Sequence, residues 1–165
     1  MPEHPPSCPM PPPPLTILAR FLTVAAASRG VEEAVLDLVG PVWSKLGYVG
    51  GRLWFHDSAG GLLIPGVGWY AGRGPSPTPT PVMAGGPSLI GQCWARNQIE
   101  WVAWTSWDQG RPCPEVYTCV PLNAGGRVLG VLELATETAD EPPTDLAALL
   151  GMLGGRLGDL AAAAE

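Results

Sequence analysis

Positive charge is scarce in this sequence, and that scarcity argues against several classes of function. The 165-residue chain has 9 Lys and Arg residues against 15 Asp and Glu, and Lys45 is its only lysine. With a formal net charge of −6, there is no basic stripe that could displace counterions from a nucleic-acid backbone. Nor can a cationic amphipathic helix for a membrane surface be drawn. We therefore expect neither nucleic acid nor a membrane among the partners.

Long apolar runs and paired cysteines are also missing. No uninterrupted run reaches the roughly 18 apolar residues of a membrane span, and the N-terminus lacks the basic-then-apolar order of a secretory signal. The four cysteines, at positions 8, 93, 113 and 119, form no CxxC pair, and neither histidine supplies a second ligand pair for zinc. Free thiols in a reducing compartment are the simplest interpretation. We predict a soluble, cytoplasmic protein with no metal and no cofactor.

Apolar residues make up 46% of the sequence, enough to bury a core in a chain of this length. The 20 prolines, by contrast, are clustered rather than spread along the chain. Residues 1–14, which end in four consecutive prolines, are predicted to be an extended or disordered leader. Residues 15–165 are predicted to form a single domain.

Hydrophobic periodicity predicts strands that follow one another without helical crossovers. Helices are predicted at 15–28, 31–46, after the N-cap Ser88 and at 144–163, and strands at 48–56, 62–70, 100–105, 116–122 and 127–136. A kink is expected at Pro41, which lacks an amide hydrogen, and Gly47 should end that helix. Residues 71–87 form a long connection, and a polar, proline-bearing loop precedes the strand at 116. This order indicates an α+β fold around a central antiparallel β-sheet of five to six strands.

Three phrases in this order resemble the GAF domain family. The first is Gly30-Val31-Glu32-Glu33-Ala34 leading through Gly47 to Leu53-Trp54-Phe55, the second is Ser88–Trp94 with Ile99–Val102, and the third is Val120-Pro121-Leu122 followed by Gly126–Glu133. The resemblance covers roughly residues 16–163, and its third phrase is the most specific. A hairpin of this kind also has a plain structural explanation, so the resemblance supports fold better than activity.

The resemblance implies how the domain would be built and used. The N- and C-terminal helices would lie on one face of the sheet, and the short helix and long loops would enclose a ligand cavity on the other. It also implies a bacterial-type sensory or regulatory role in signal transduction, commonly with homodimerisation through the terminal helices at 15–28 and 144–163. A signalling effector acting in trans is an expected partner.

Several ligand classes of the family lack their residues here. Bilin binders attach the chromophore to a cysteine that often adjoins a histidine, and no cysteine here has a histidine neighbour. The Asn-Lys-Phe-Asp-Glu signature of the cyclic-nucleotide binders is absent. Haem needs an axial ligand, but His56 adjoins a predicted turn and is expected to be an exposed turn histidine. None of these three ligands is therefore predicted.

One enzymatic family member, free methionine sulfoxide reductase, uses cysteines in its pocket loops. The cysteine expected just before Gly91 is Ile90 here, and Cys113 lies too close to Val120-Pro121-Leu122 for the family's catalytic position. A nucleophilic thiolate also needs a lowered pKa, and Arg111 is the only cation nearby in the sequence. We therefore predict that the chain is not an enzyme, with thiol redox chemistry as a minor alternative.

Aromatic residues are the most distinctive feature that remains. Tryptophan and tyrosine rings suit planar, apolar or cationic ligands. The predicted ligand-binding residues are Trp69, Tyr70, Cys93, Trp94, Trp101, Trp104, Trp107, Tyr117 and Cys119. Trp101 and Trp104 cannot share one face of a regular strand, because odd spacing alternates sides. A simple filling of the core by these rings stays open as the alternative.

Three hypotheses follow from the sequence. The leading one is a sensor whose small ligand, aromatic or apolar in character, occupies a tryptophan-rich pocket. The second is a degenerate GAF module with a collapsed pocket that only dimerises or docks a partner. The third is a thiol-based enzyme or redox switch.

Overall fold

The computed structural model describes residues 13–70, 79–108, 110–137 and 144–165, with the backbone alone at positions 104, 106–108 and 111–114. Its helices are α1 (Pro14–Ala27), α2 (Val31–Asp37), α3 (Leu89–Arg96) and α4 (Thr144–Ala163). Its strands are β1 (Gly50–Asp57), β2 (Leu62–Tyr70), β3 (Val82–Met83), β4 (Glu100–Asp108), β5 (Arg111–Ala124) and β6 (Arg127–Thr136). The predicted leader lies mostly outside the described residues. Its last residue, Pro14, already belongs to α1, because the first turn of a helix does not use that amide hydrogen.

The six strands form one sheet in the order β3-β2-β1-β6-β5-β4, and every neighbouring pair is antiparallel. The sequence prediction of an α+β fold around an antiparallel sheet of five to six strands is therefore confirmed. β1, β2 and β3 pair in succession, as do β4, β5 and β6, and β6 also pairs with β1, which places both halves of the chain in the same sheet.

The second predicted helix is divided into three parts. After α2, residues Val39–Trp43 form a π-helical turn and residues Ser44–Leu46 a 3-10 turn. Pro41 cannot donate a backbone hydrogen bond, and the amides of Val42 and Trp43 both donate to the carbonyl of Leu38 at 2.9 Å. Gly47 ends the segment with a φ of +89°, which glycine adopts without strain.

The prediction of a polar loop before residue 116 was wrong. In the structure, β4 and β5 form a hairpin that includes this segment. β4 pairs with β5 from Glu100 opposite Cys119 to Asp108 opposite Arg111. The prolines in β5 explain why the sequence resembled a loop. Among the described residues, β6 pairs with β5 from Val116 onward, and Pro112 and Pro114 pair only with β4, an arrangement in which a strand tolerates a missing amide hydrogen.

Helices cover the two faces of the sheet unequally. On the first, which we call the helical face, α1, α2 and α4 pack over inward residues such as Leu53, Leu122 and Leu134. On the second, which we call the α3 face, only α3 among the described helices packs on the sheet, over residues such as Trp54, Cys119 and Val131. The arrangement agrees with the prediction that the terminal helices share one face and the short helix lies on the other.

The last helix, α4, is long and apolar enough to cross a membrane when judged by length and composition alone, with a mean hydropathy of 1.3. It is the only described helix that passes this test. In this structure Leu150, Leu153 and Leu157 are buried in the helical-face core. Two of its glycines, Gly154 and Gly158, approach the backbone of β5 directly. The core helix of a globular domain passes the same test.

Candidate functional site

Two adjacent glycines in β1 make room for two aromatic rings on opposite faces of the sheet. Gly50 pairs with Tyr70, and Gly51 pairs with Trp69. A Cβ at Gly50 would lie 2.5 Å from the Tyr70 ring, and one at Gly51 would lie 2.3 Å from the Trp69 ring. Because successive positions of a strand alternate, Trp69 lies on the helical face and Tyr70 on the α3 face.

The structure therefore places Trp69 apart from most of the other predicted ligand-binding residues. Its ring stacks on Trp43, with centroids 6.4 Å apart and planes 20° from parallel. Trp101 lies on β4 directly opposite the buried Thr118, which puts it on the helical face as well, and it is 40% exposed. The side chains of Trp104 and Trp107 are outside the part of the chain that is described.

The other five predicted residues, Tyr70, Cys93, Trp94, Tyr117 and Cys119, belong to the α3 face or to α3 itself. Ser88 caps α3 as predicted, since its hydroxyl accepts a hydrogen bond from the amide of Gly91 at 3.0 Å. The Trp94 indole N–H donates to the carbonyl of Val128 at 3.2 Å, and the centroid of its ring lies 4.4 Å from that of His56. His56 is thus half-buried in β1, not exposed in the turn as predicted.

An apolar half of the α3 face lies directly beneath α3. Cys93 from the helix is fully buried there with Trp54, Cys119 and Val131 of the sheet. Burial, followed by the charge of Glu100, raises the pKa of Cys93 to about 12. Burial chiefly, with the charge of Glu133 second, raises the pKa of Cys119 well above its ordinary value. Both thiols are therefore held protonated at neutral pH, and a protonated thiol is a poor nucleophile. The side chains of Cys8 and Cys113 fall outside the described residues.

A polar half continues along the same face. Arg52 of β1 is directly opposite Glu133 of β6, which is opposite Cys119 of β5. One row further along, the Tyr117 hydroxyl donates to Oε2 of Glu115 at 2.5 Å. Arg52 Nη1 donates to the carbonyl of Gly66 at 2.8 Å. The α3 face is thus amphipathic, with one apolar half covered by α3 and one half that carries charge.

Among the described residues, negative charge dominates the electrostatics of this polar half. Burial, followed by the hydrogen bond to Glu115 and the charges of Glu115 and Glu133, raises the pKa of Tyr117. Burial raises the pKa of Glu133, although the charge of Arg52 and the nearby Trp54 indole act in the opposite direction. The single arginine does not fully offset the cost of desolvating the Glu133 carboxylate.

The Trp54 indole lies at the boundary between the two halves. The residue is only 3% exposed. Its N–H lies close enough to Glu133 to lower the pKa of that carboxyl, yet it completes no hydrogen bond within the described part of the structure. The Trp54 indole thus connects the apolar half of the face to the carboxylate of Glu133.

Sequence reasoning missed the ionisable part of this site, namely Arg52, Glu115 and Glu133. One signal was present. Glu133 interrupts an otherwise apolar strand. It lies two residues from Val131, so both side chains point to the same face of the sheet, and Val131 is buried on the α3 face. Glu115 lay within the segment predicted to be a loop, so no strand phase could be assigned to it. No group of three or more His, Cys, Asp or Glu side chains that could hold a metal ion occurs among the described residues.

Replacing Glu133 by glutamine should change the pH dependence of stability. Because burial raises the carboxyl pKa in the folded state, folding favours its protonated form, and its ionisation becomes destabilising as the pH rises above the unfolded value. We expect the free energy of unfolding of Glu133→Gln, relative to wild type, to increase between pH 4 and pH 7. Urea denaturation across this range measures it. A difference that is constant with pH would contradict the assigned burial of the charge.

The fold is that of GAF domains. The GAF domain of a phosphoenolpyruvate-protein phosphotransferase from Coxiella burnetii superposes with a TM-score of 0.72 at 16% identity, covering 93% of this chain and 96% of that one. The NLH2 GAF domain of A. aeolicus, in an inactive state, gives 0.72 at 14% identity, covering 92% and 97%. Free methionine-R-sulfoxide reductase from Neisseria meningitidis, in complex with its substrate, gives 0.70 at 20% identity, covering 91% and 89%.

We found no protein-family model and no curated protein sequence that matches the chain. At these identities the similarity establishes the fold alone. The GAF-like element order predicted from the sequence is confirmed at that level.

Proposed function

We propose that this chain is a sensory or regulatory GAF domain that binds a small molecule on the α3 face. The observation that carries the proposal is the charged half of that face, where Arg52, Glu133 and Glu115 lie beside the apolar half under α3. Solved structures of the same fold include GAF domains and a reductase bound to its substrate. A role in signal transduction, a location in the cytoplasm and an effector in trans belong to this proposal.

The ionisable groups support a binding role because the fold does not require them. Replacing a buried ion pair by apolar side chains of similar volume is often neutral or stabilising. Residues whose pKa is shifted by burial and by a specific charge partner are concentrated at functional sites, and Glu133 beside Arg52 is such a residue. Glu133 lies in the middle of a long strand whose neighbours are apolar, where an apolar residue would pack without a desolvation cost.

The proposal is that the domain binds without catalysis. A thiol reductase needs a reactive thiolate, and burial raises the pKa of both described cysteines. Ligand binding to the folded state should raise the melting temperature and change the fluorescence of Trp54 or Trp94, which border the face. A metabolite panel that includes cations, neutral compounds and anions tests this. If no compound changes either signal, the sensor function is wrong. Thiol-dependent turnover that disappears in Cys93→Ser/Cys119→Ser would favour the enzyme instead.

A second function, homodimerisation through the terminal helices, is favoured by exposed apolar side chains on α1 and α4. Leu15 and Leu22 of α1 are 79% and 43% exposed, and Met152 of α4 is 55% exposed. Sedimentation velocity over a range of concentrations tests this function. A dimer that dissociates in Leu22→Glu would support it, and a wild-type monomer at all concentrations would refute it.

A further inference from the structure

A contact between two aromatic rings, those of His56 and Trp94, joins α3 to the sheet near the end of β1. The two ring centroids lie 4.4 Å apart, and the ring planes are tilted by 35°. Trp94 is fixed in this position, because its indole N–H donates to the carbonyl of Val128 on β6 at 3.2 Å. His56 lies opposite Leu63 of β2, a fully buried residue of the α3 face. The imidazole therefore contacts an indole that the sheet itself holds in place.

Protonation of His56 strengthens this contact. Imidazole is the side chain that ordinarily gains or loses a charge between pH 5 and pH 8. A cation within about 6 Å of a ring centroid is attracted to the aromatic face, and tryptophan attracts cations more strongly than the other aromatic residues do. Because His56 is only partly buried, its imidazolium form keeps part of its hydration. The charged form of His56 therefore gains from Trp94 an attraction that the neutral form lacks.

The other titratable groups of the surrounding elements are paired, buried or further away. Besides His56, the titratable side chains on β1, β2, β6 and α3 are Arg52, Asp57, Tyr70, Arg127, Glu133, Cys93 and Arg96. Asp57 adjoins His56 and therefore points to the opposite face of the sheet. Arg127 and Arg96 are each paired with a glutamate, and burial raises the pKa of the Cys93 thiol and keeps it neutral. The remaining three lie toward the other end of β1.

We propose that the contact between His56 and Trp94 is a pH-sensitive device that docks α3 more firmly on the sheet when His56 is protonated. α3 has eight residues and packs on the α3 face through Leu89, Ile90, Cys93 and Trp94, so a single added attraction contributes appreciably to its docking. Docking is firmest below about pH 6, where imidazole is charged, and weakens as the pH rises toward 8. The inference goes beyond the proposed function and does not depend on a ligand.

A double-mutant cycle on the full chain measures the contact at pH 5.5 and at pH 8. His56→Gln keeps a polar side chain without the charge, Trp94→Leu keeps apolar cover over the sheet, and the double variant completes the cycle. Urea denaturation gives the unfolding equilibrium constant of each protein. The coupling between the two side chains is expected to change this constant by about five- to tenfold at pH 5.5, and by about twofold or less at pH 8. Equal coupling at both pH values, or stronger coupling at pH 8, would overturn the proposal.

Hydrogen exchange then locates the effect on α3. Relative to the amides of β6, and after correction for intrinsic exchange rates, the α3 amides of the wild type should be protected about fivefold more at pH 5.5 than at pH 8. This difference should disappear in His56→Gln and remain in His4→Gln, the matched control that removes the chain's other histidine. The comparison does not need Trp94→Leu, so it decides the question even where that variant does not fold. A pH dependence that persists in His56→Gln, or that is absent from the wild type, would refute the role of His56.

Discussion

Gly158→Ala is expected to destabilise the protein by about 3 kcal/mol, at the upper end of what overpacking costs. A Cβ at this position would lie 2.3 Å from the carbonyl oxygen of Asn123 and 2.6 Å from its nitrogen. Both atoms belong to the backbone of β5, which is held by β6 at this point and cannot yield as a flexible side chain would. The substitution would therefore push α4 away from the sheet and loosen the buried contacts of Leu153 and Leu157.

Gly155→Ala is the matched control on the same helix. A Cβ there would meet no atom within 4 Å, so the change should only improve helix propensity and stabilise the protein by up to about 1 kcal/mol. Urea denaturation of both variants gives the comparison. Equal stability of the two variants would mean that α4 does not approach β5 as described.

Trp43→Ala is expected to cost about 3–5 kcal/mol, the range for removing a large aromatic side chain from a core. Trp43 is fully buried, stacks on Trp69 and donates its indole N–H to the carbonyl of Val35 at 2.9 Å. It ends the π-helical turn at Pro41, so it also fixes the irregular segment to α2. The loss of stability combines the cavity left by the indole ring with the loss of the hydrogen bond to the carbonyl of Val35.

Two further variants separate these contributions. Trp43→Phe keeps an aromatic ring but loses the hydrogen bond, and we expect an intermediate loss of about 1–2 kcal/mol. Trp101→Ala should cost less than Trp43→Ala, because Trp101 is 40% exposed. Thermal and chemical denaturation measure all three. A larger loss for Trp101→Ala than for Trp43→Ala would contradict the described core.

Most of the fold could be predicted because its signals are local. Ser88 caps α3 and Gly47 ends the helical segment, as predicted. β6 begins and ends at the residues predicted from the alternation of apolar residues and from the turn before it. The hairpin of β4 and β5 could not be predicted in the same way. In the described part of the chain Pro112 and Pro114 pair with β4 alone, and a strand accepts proline where its pairing is one-sided, which depends on the tertiary arrangement of the sheet.

The candidate site was less predictable because it depends on which face each residue occupies. Trp69 and Tyr70 are adjacent aromatics, and only the pairing of β2 with β1 assigns them to opposite faces. The register between β1 and β2 shifts between Arg52 and Trp54, so counting residues along the sequence does not show which residues of the two strands lie opposite each other. Arg52, Glu115 and Glu133 come from three strands, so their proximity is a property of the tertiary fold.

The glycines of α4 also have a mechanical consequence. Side chains between a helix and a sheet usually act as soft spacers, since they can change rotamer when one layer shifts. At Gly154 and Gly158 no such spacer exists, and α4 rests directly on the carbonyls of Pro121 and Asn123. The same strand presents Tyr117 and Cys119 to the opposite face. Because helix and strand are in direct backbone contact, a displacement of β5 perpendicular to the sheet should move α4 by a similar amount.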